Sequence, residues 1–283
     1  MPARWPWIFV GSLTGCSILY WPSSDLTSGE GGDAAAGAET GAIGRDGPPP
    51  EAKADTGAPT CPPNALLCDD FERDRVVGPF GNSQGSVSIS KARAHSPTRS
   101  LSAIAKKNTD SPALESSLAL PTKATLSFWF YAATRPPVPA DSLRIAHLLW
   151  GGACDWELSW TIYLNAADGL KMSATTYDSA AKPDCGPVTD STRVLLTADQ
   201  TFAPVWHHVV VTMDVSAKTR RVEAVIDDTA IPLTTVTSLR SSVPANATLA
   251  VGIPCITTSS GCMPWDGGDY EVLIDDVALV AAP

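Results

Sequence analysis

The chain is short of positive charge. Its 283 residues hold 20 Lys and Arg against 30 Asp and Glu, a net charge of -10, and only 18% of them are charged. Phosphate contacts need clustered Lys and Arg, so nucleic acid is excluded as a partner. No apolar run reaches eighteen residues, which excludes a polytopic helical membrane protein. There is no C-x-x-C pair and no Cys-His cluster, so a zinc centre is not expected. No Ser-His-Asp or Cys-His arrangement suited to nucleophilic catalysis occurs, and no stretch keeps a helical apolar period between caps. Plentiful instead are Gly and Pro (21 and 24), Trp (nine) and Cys (seven). So many cysteines point to an oxidising compartment.

The first 16 residues read as an address. Arg4 is their only charge, and an apolar stretch runs from Trp5 to Leu13. It ends in Leu13-Thr14-Gly15-Cys16, which resembles the lipobox of a bacterial lipoprotein signal. The resemblance implies cleavage before Cys16 and diacylation of its sulfur. A short positive-then-apolar leader is a signal peptide, and two acyl chains hold a protein on a membrane where one is marginal. Leu19, Tyr20 and Trp21 prolong the apolar character, so an uncleaved anchor is the alternative. Ser17, rather than Asp, follows the cysteine, which leans toward the outer membrane or cell surface of a bacterial envelope. Residues 17–60 are dominated by Gly, Ala, Ser, Thr, Pro and acids, with seven acids facing two bases. Such a segment has too little apolar surface to offset the entropy of ordering, so it is expected to be a disordered tether. The folded domain is then residues 61–283.

Setting Cys16 aside leaves six cysteines: Cys61, Cys68, Cys154, Cys185, Cys255 and Cys262. Locality suggests bridges 61–68, 154–185 and 255–262, one of fifteen possible connectivities. Apolar residues in 61–283 recur with period two. Leu126, Phe128 and Phe130 alternate with Thr125, Ser127, Trp129 and Tyr131, and Trp156, Leu158, Trp160, Ile162 and Leu164 alternate with polar neighbours and Tyr163. From Trp206 to Val215, His207, Val209, Val211, Met213 and Val215 share one face. Strict alternation predicts half-buried strands. Asp168-Gly169 and Asp227-Asp228 are turn signals between them. Many short strands in one stretch of this size predict an all-β antiparallel sandwich or barrel.

The order of short motifs narrows this. Leu67-Cys68-Asp69-Asp70-Phe71-Glu72 opens the domain, Ala94-His95-Ser96-Pro97-Thr98-Arg99-Ser100-Leu101 follows, and Trp206-His207-His208-Val209-Val210-Val211 comes later. Val272-Leu273-Ile274-Asp275-Asp276-Val277 lies near the end. The series resembles the concanavalin A-like lectin/glucanase superfamily, in particular laminin-G-like jelly rolls of bacterial surface proteins. The resemblance implies a two-sheet jelly-roll sandwich with six or seven strands per sheet and adjacent terminal strands. It fixes no activity, because the superfamily holds lectins, binding modules, glycosidases, lyases and interaction domains.

Three functions compete. A retaining glycosidase needs two carboxylates close together, but the superfamily's Glu-x-Asp-x-x-Glu pattern is absent; Asp155-Trp156-Glu157 and Asp269-Tyr270-Glu271 come nearest. A lyase needs a base such as His or Tyr beside a charge-neutralising Arg; His147, Tyr163 and Tyr177 are available, but their spacing singles none out. Carbohydrate binding needs exposed aromatics with polar neighbours. Trp129 and Tyr131 are out of phase with the core residues of their strand, as Glu157 and Tyr163 are on theirs. If the two strands are neighbours in one sheet, these four residues line one outward face. Trp265, in a Gly-rich loop, is a fifth candidate. Calcium, common in such folds, is expected where adjacent terminal strands bring Asp70 and Glu72 toward Asp275 and Asp276, unless Arg73 or Arg75 neutralises them. Asp266 and Asp269 form a second acidic group. The leading expectation is a non-catalytic lectin-like domain that binds carbohydrate, followed by an adhesion module for a surface protein, then a polysaccharide-degrading enzyme.

Overall fold

A computed structural model describes residues 61–106, 111–137, 142–150, 158–177, 187–217, 219–237, 246–258, 261–262 and 268–282. The leader with Cys16, the tether, Glu157, Trp265, Asp266, Cys154 and Cys185 lie outside the described residues.

Two antiparallel sheets form a jelly-roll sandwich. Sheet A runs β13 (Thr229–Thr237), β12 (Thr219–Ile226), β11 (His207–Asp214), β6 (Lys123–Tyr131), β16 (Tyr270–Ala281), β4 (Ser100–Ala105) and β3 (Val87–Ser90), and β1 (Ala65–Asp69) also pairs with β16. Sheet B runs β10 (Pro187–Leu196), β9 (Gly169–Tyr177), β8 (Leu158–Asn165), β7 (Ser142–Trp150), β14 (Asn246–Thr258), β5 (Ala113–Ala119) and β2 (Asn82–Gln84), with β15 (Gly261–Cys262) beside β14. Among the described residues each sheet has eight strands, more than the resemblance implied. The first and last strands are neighbours, Cys68 opposite Ala278. One helical turn, α1 (Ala198–Thr201), precedes β11.

The period-two pattern is what closes the sandwich. Leu126, Phe128 and Phe130 of sheet A and Trp160, Ile162 and Leu164 of sheet B are fully buried in one core, with Trp150 beside them. Each fully buried Leu, Ile or Phe contributes about 1.5–3 kcal/mol. Cys61 and Cys68 form a disulfide that pins the chain ahead of β1. Cys255 and Cys262 fall in the paired strands β14 and β15, Thr257 opposite Cys262.

One expectation fails here. β6 and β8 are not neighbours: β6 lies between β11 and β16 in sheet A, and β8 between β7 and β9 in sheet B. Trp129 and Tyr131 therefore do not share a face with Tyr163, because outward residues of opposite sheets point away from each other. Local alternation tells inside from outside but not which sheet a strand joins.

Turn chemistry follows the sequence. Asp227 and Asp228 both adopt positive φ (47° and 63°) in the two-residue connection of β12 to β13, the conformation a tight primed hairpin turn requires. Between β8 and β9, Gly169 takes φ +92°, and a Cβ there would lie 2.4 Å from the Leu196 carbonyl oxygen. Gly169→Ala is expected to lower unfolding free energy by about 2 kcal/mol or more through strain and this backbone clash. Urea titration checks it, and a Gly169→Ala chain as stable as wild type would contradict the packing described.

Candidate functional site

The outward face of sheet B carries the chemistry. Arg144 of β7 stands opposite Tyr163 of β8, which stands opposite Lys171 of β9. One outward position along, about 7 Å away by strand rise, His147 stands opposite Thr161, and Thr161 opposite Ser173. Glu115 of β5 lies two strands from His147 in the same row, across Ala250. Arg144 and His147 are three residues apart, so a regular strand would point them to opposite faces. A bulge between Arg144 and Ala146 reverses the phase: Leu143 is buried before it, Ile145 within it, and Leu148 and Trp150 after it.

This polar face is sheltered. His147 is only 7% exposed, although it points away from the core, and Thr161 and Thr175 are comparably buried. The His147 Nδ1 is buried without a hydrogen-bond partner among the described residues. Burial first, and the Arg144 charge second, push the His147 pKa down to about 4, so its ring is neutral at pH 7. The Lys171 ammonium is 2.7 Å from Asp168 and 6.0 Å from the centre of the Tyr163 ring. Ser173 and Thr175 hydroxyls are 3.2 Å apart. Two cations, a tyrosine, a neutral imidazole and a run of hydroxyls thus share one face, suited to a ligand that is both hydroxylated and anionic.

The aromatics expected to form a sugar platform stand on sheet A, and their faces are occupied. Trp129 is stacked by His95 at 3.6 Å and by His208 at 4.5 Å between ring centres. Tyr131 is buried, with the Arg93 guanidinium 4.2 Å over its ring and Trp206 at 5.7 Å. A pyranose has no free ring face to meet on Trp129 or Tyr131. His207 follows its core phase: it is buried, and its Nδ1 lies 2.7 Å from the Asp227 carboxylate.

The four acids expected to hold calcium meet protein donors instead. The strand pairing sets Asp69 opposite Val277, and segment 95–99 supplies donors to Glu72, Asp275 and Asp276. Asp275 accepts the N–H groups of His95 (2.8 Å) and Ser96 (3.0 Å) and the Ser96 hydroxyl. Glu72 accepts N–H groups from Thr98 and Arg99, Asp276 lies 2.9 Å from the His95 Nδ1, and Asp70 caps the Glu72 N–H. Arg73 forks onto Asp69 rather than Asp70. Calcium needs six to eight free oxygens around one point. Among the described residues no group of three or more His, Cys, Asp or Glu side chains is placed to hold a metal ion.

Arg144 and Lys171 were not singled out from sequence, and His147 was noted without a partner. A bulge hides the phase of β7, so no alternation marks Arg144 and His147 as co-facial.

No family model matches the chain, and no curated protein matches it in sequence. The fold is shared with solved structures. The endo-β-1,4-glucuronan lyase of the fungus Trichoderma reesei superposes with a TM-score of 0.51 at 18% identity, over 78% of this chain and 92% of that one. The binding domain of botulinum neurotoxin serotype D superposes with a TM-score of 0.50 at 11% identity, over 77% of this chain and 47% of that one. At such identities the likeness is one of fold.

The buried His147 makes stability fall in acid. Its folded pKa is depressed, so its contribution is full above the ordinary histidine value, about 6.5, and is lost as pH falls toward 4. His147→Gln is expected to flatten this limb, worth at most about 3 kcal/mol. Denaturant midpoints at pH 7 and at about pH 4.5 compare the two chains; equal acid sensitivity would refute a buried neutral His147.

Proposed function

We propose that the domain binds an acidic polysaccharide across the outward face of sheet B. The observation that carries this reading is the cross-strand row Arg144–Tyr163–Lys171 beside the sheltered His147. A uronate carboxylate finds the guanidinium and the ammonium there, and sugar hydroxyls find Thr161, Ser173 and Thr175. Tyr163 offers a ring edge and a phenol between the two cations. The glucuronan lyase that shares the fold is in keeping with this ligand class.

A panel of uronans and neutral glucans, titrated calorimetrically against the purified chain, tests the reading. Uronans are expected to bind and neutral glucans not, with affinity falling as salt rises. Arg144→Ala is expected to weaken binding about tenfold or more, roughly 1.4 kcal/mol. Lys171→Ala should weaken it less, because Asp168 already pairs that charge. Equal binding of neutral and acidic polymers, or none, would reject the proposal; the absence of any glycan ligand would favour a surface-protein partner.

One observation favours a second reading, a lyase. His147 holds an unprotonated ring next to Arg144, with Tyr163 one outward position away. In such an arrangement Arg144 pairs with the uronate carboxylate and His147 takes the C5 proton. The C4–O bond then breaks as the C4=C5 bond forms, and the Tyr163 hydroxyl gives its proton to the departing oxygen. Ultraviolet absorbance of the unsaturated product, abolished in His147→Gln, would establish this reading; tight binding without product leaves the non-catalytic one.

From the Leu13–Cys16 motif we also propose a lipid anchor in a bacterial envelope. Expressed with its leader in a bacterium, the chain is expected to incorporate labelled fatty acid and partition into detergent, and Cys16→Ser to do neither. Label retained in Cys16→Ser would refute the anchor.

A further inference from the structure

A second constellation, on the outward face of sheet A, takes no part in the proposed ligand site. Segment 91–99 joins β3 to β4 and lies over β6 and β16 as a strap. Its N–H groups at His95, Ser96, Thr98 and Arg99 end on Asp275 and Glu72. The His95 ring lies flat on Trp129, with 12° between their planes, and is held at Nδ1 by Asp276. On the other side of the indole lies His208 of β11, with 11° between planes. One indole is thus clamped between an imidazole of the strap and an imidazole of the sheet, above a fully buried carboxylate that the strap caps.

We propose that this strap is a pH-responsive latch set by two opposed groups, His208 loosening it in acid and Asp275 loosening it in alkali. The stack joins flat, weakly polar faces while the outer imidazole is neutral. His95 is held by the Asp276 carboxylate at 2.9 Å. A proton on His208 puts a positive charge on the opposite face of the same indole, and its ring makes no hydrogen bond among the described residues. Burial holds the His208 pKa below the ordinary value; Asp228, Asp227 and Asp276 pull the other way, and His95 adds to the depression. Arg93 brings further positive charge from the strap side, over Tyr131. Because this folded pKa is lowered, the stack is fastened above about pH 6.5 and weakens as pH falls below it.

Asp275 works in the opposite sense. Burial first, and the adjacent Asp276 charge second, push its carboxyl up to about 8, against the strap's own N–H donors. With its folded pKa raised, its contribution is full below the ordinary carboxylate range and fades as pH rises through 8. Opening the strap hydrates Asp275 and relieves this penalty. Burial pushes the Glu72 carboxyl up, but hydrogen bonds from Thr98 and Arg99 outweigh it and hold it below its ordinary value, so the strap's far end stays anchored.

Hydrogen exchange of amides 95–99 in the full chain, corrected for intrinsic rates between about pH 5 and pH 9, tests the latch. In Asp275→Asn, strap protection is expected to rise with pH through the ordinary histidine range. In His208→Gln it is expected to fall with rising pH, and wild type should lie between the two. Near-ultraviolet circular dichroism confirms that each variant is folded, and the His208 ring titration by NMR, shifted toward the ordinary value in Trp129→Ala, reads the stack independently. If either variant follows the wild-type pH profile, or protection of 95–99 is flat in wild type and both variants, the latch is refuted.

Discussion

A carboxylate taken out of water must be given donors, and Asp275 is the place where this chain meets that demand. β16 carries it to full burial in the middle of sheet A, opposite Trp129. The strand breaks register just after it, between Asp275 and Ala278, and Asp276 adopts a positive φ of 49°. That irregularity turns the Asp276 N–H back onto the Asp275 carboxylate and sends the Asp276 side chain outward to His95. The remaining donors come from a segment some 180 residues away in sequence. Donors offset part of the cost of burying such a group, and they draw the loop before β4 over the sheet. The same loop reaches Glu72, just beyond β1. First strand, last strand and strap are therefore fixed by one electrostatic requirement rather than by apolar burial alone.

Much of the fold was legible because it rests on local alternation. The phases of β6, β11 and the visible part of β8 were written in the sequence, down to His207 inside and His208 half outside. The turns at Asp227-Asp228 and Asp168-Gly169 were legible for the same reason: few residues tolerate positive φ. The adjacency of the end strands β1 and β16 followed from the family resemblance. What was not legible is long-range. Whether β6 and β8 share a sheet depends on pairings across dozens of residues, and alternation is silent on it. Nor does a sequence show that an outward Trp is already covered, as Trp129 is by two imidazoles contributed from two distant segments. Nor does it show the N–H groups that meet Glu72 and Asp275, because they belong to a loop without secondary structure.

The candidate site depends on a departure from regularity. Without the bulge in β7, Arg144 and His147 would stand on opposite faces, one of them in the core. With it, both face outward, and the neutral imidazole sits next to the guanidinium that helps to keep it neutral. A bulge weakens a ladder locally, and such irregularities gather where a strand must aim side chains. The polar run it creates is not the solvated outer face usual for an antiparallel sheet. His147, Thr161 and Thr175 are sheltered, with the His147 Nδ1 unpaired, and a sheltered, incompletely satisfied polar surface lowers stability unless something else retains it.

The charges decide what that something is. The chain as a whole repels anions, with a net charge of -10. Against that background, Arg144 and Lys171 in one cross-strand row of a sheltered face form a local exception, only partly offset by Asp168 and Glu115. Long-range attraction cannot bring a polyanion to such a protein, so any affinity must be made at contact, where water is excluded and each ion pair is strong. A neutral polymer would desolvate the guanidinium and the ammonium without supplying a counter-charge, whereas a uronate supplies one carboxylate per sugar along a hydroxyl-rich chain. The face therefore discriminates by the cost of the wrong ligand as much as by attraction for the right one.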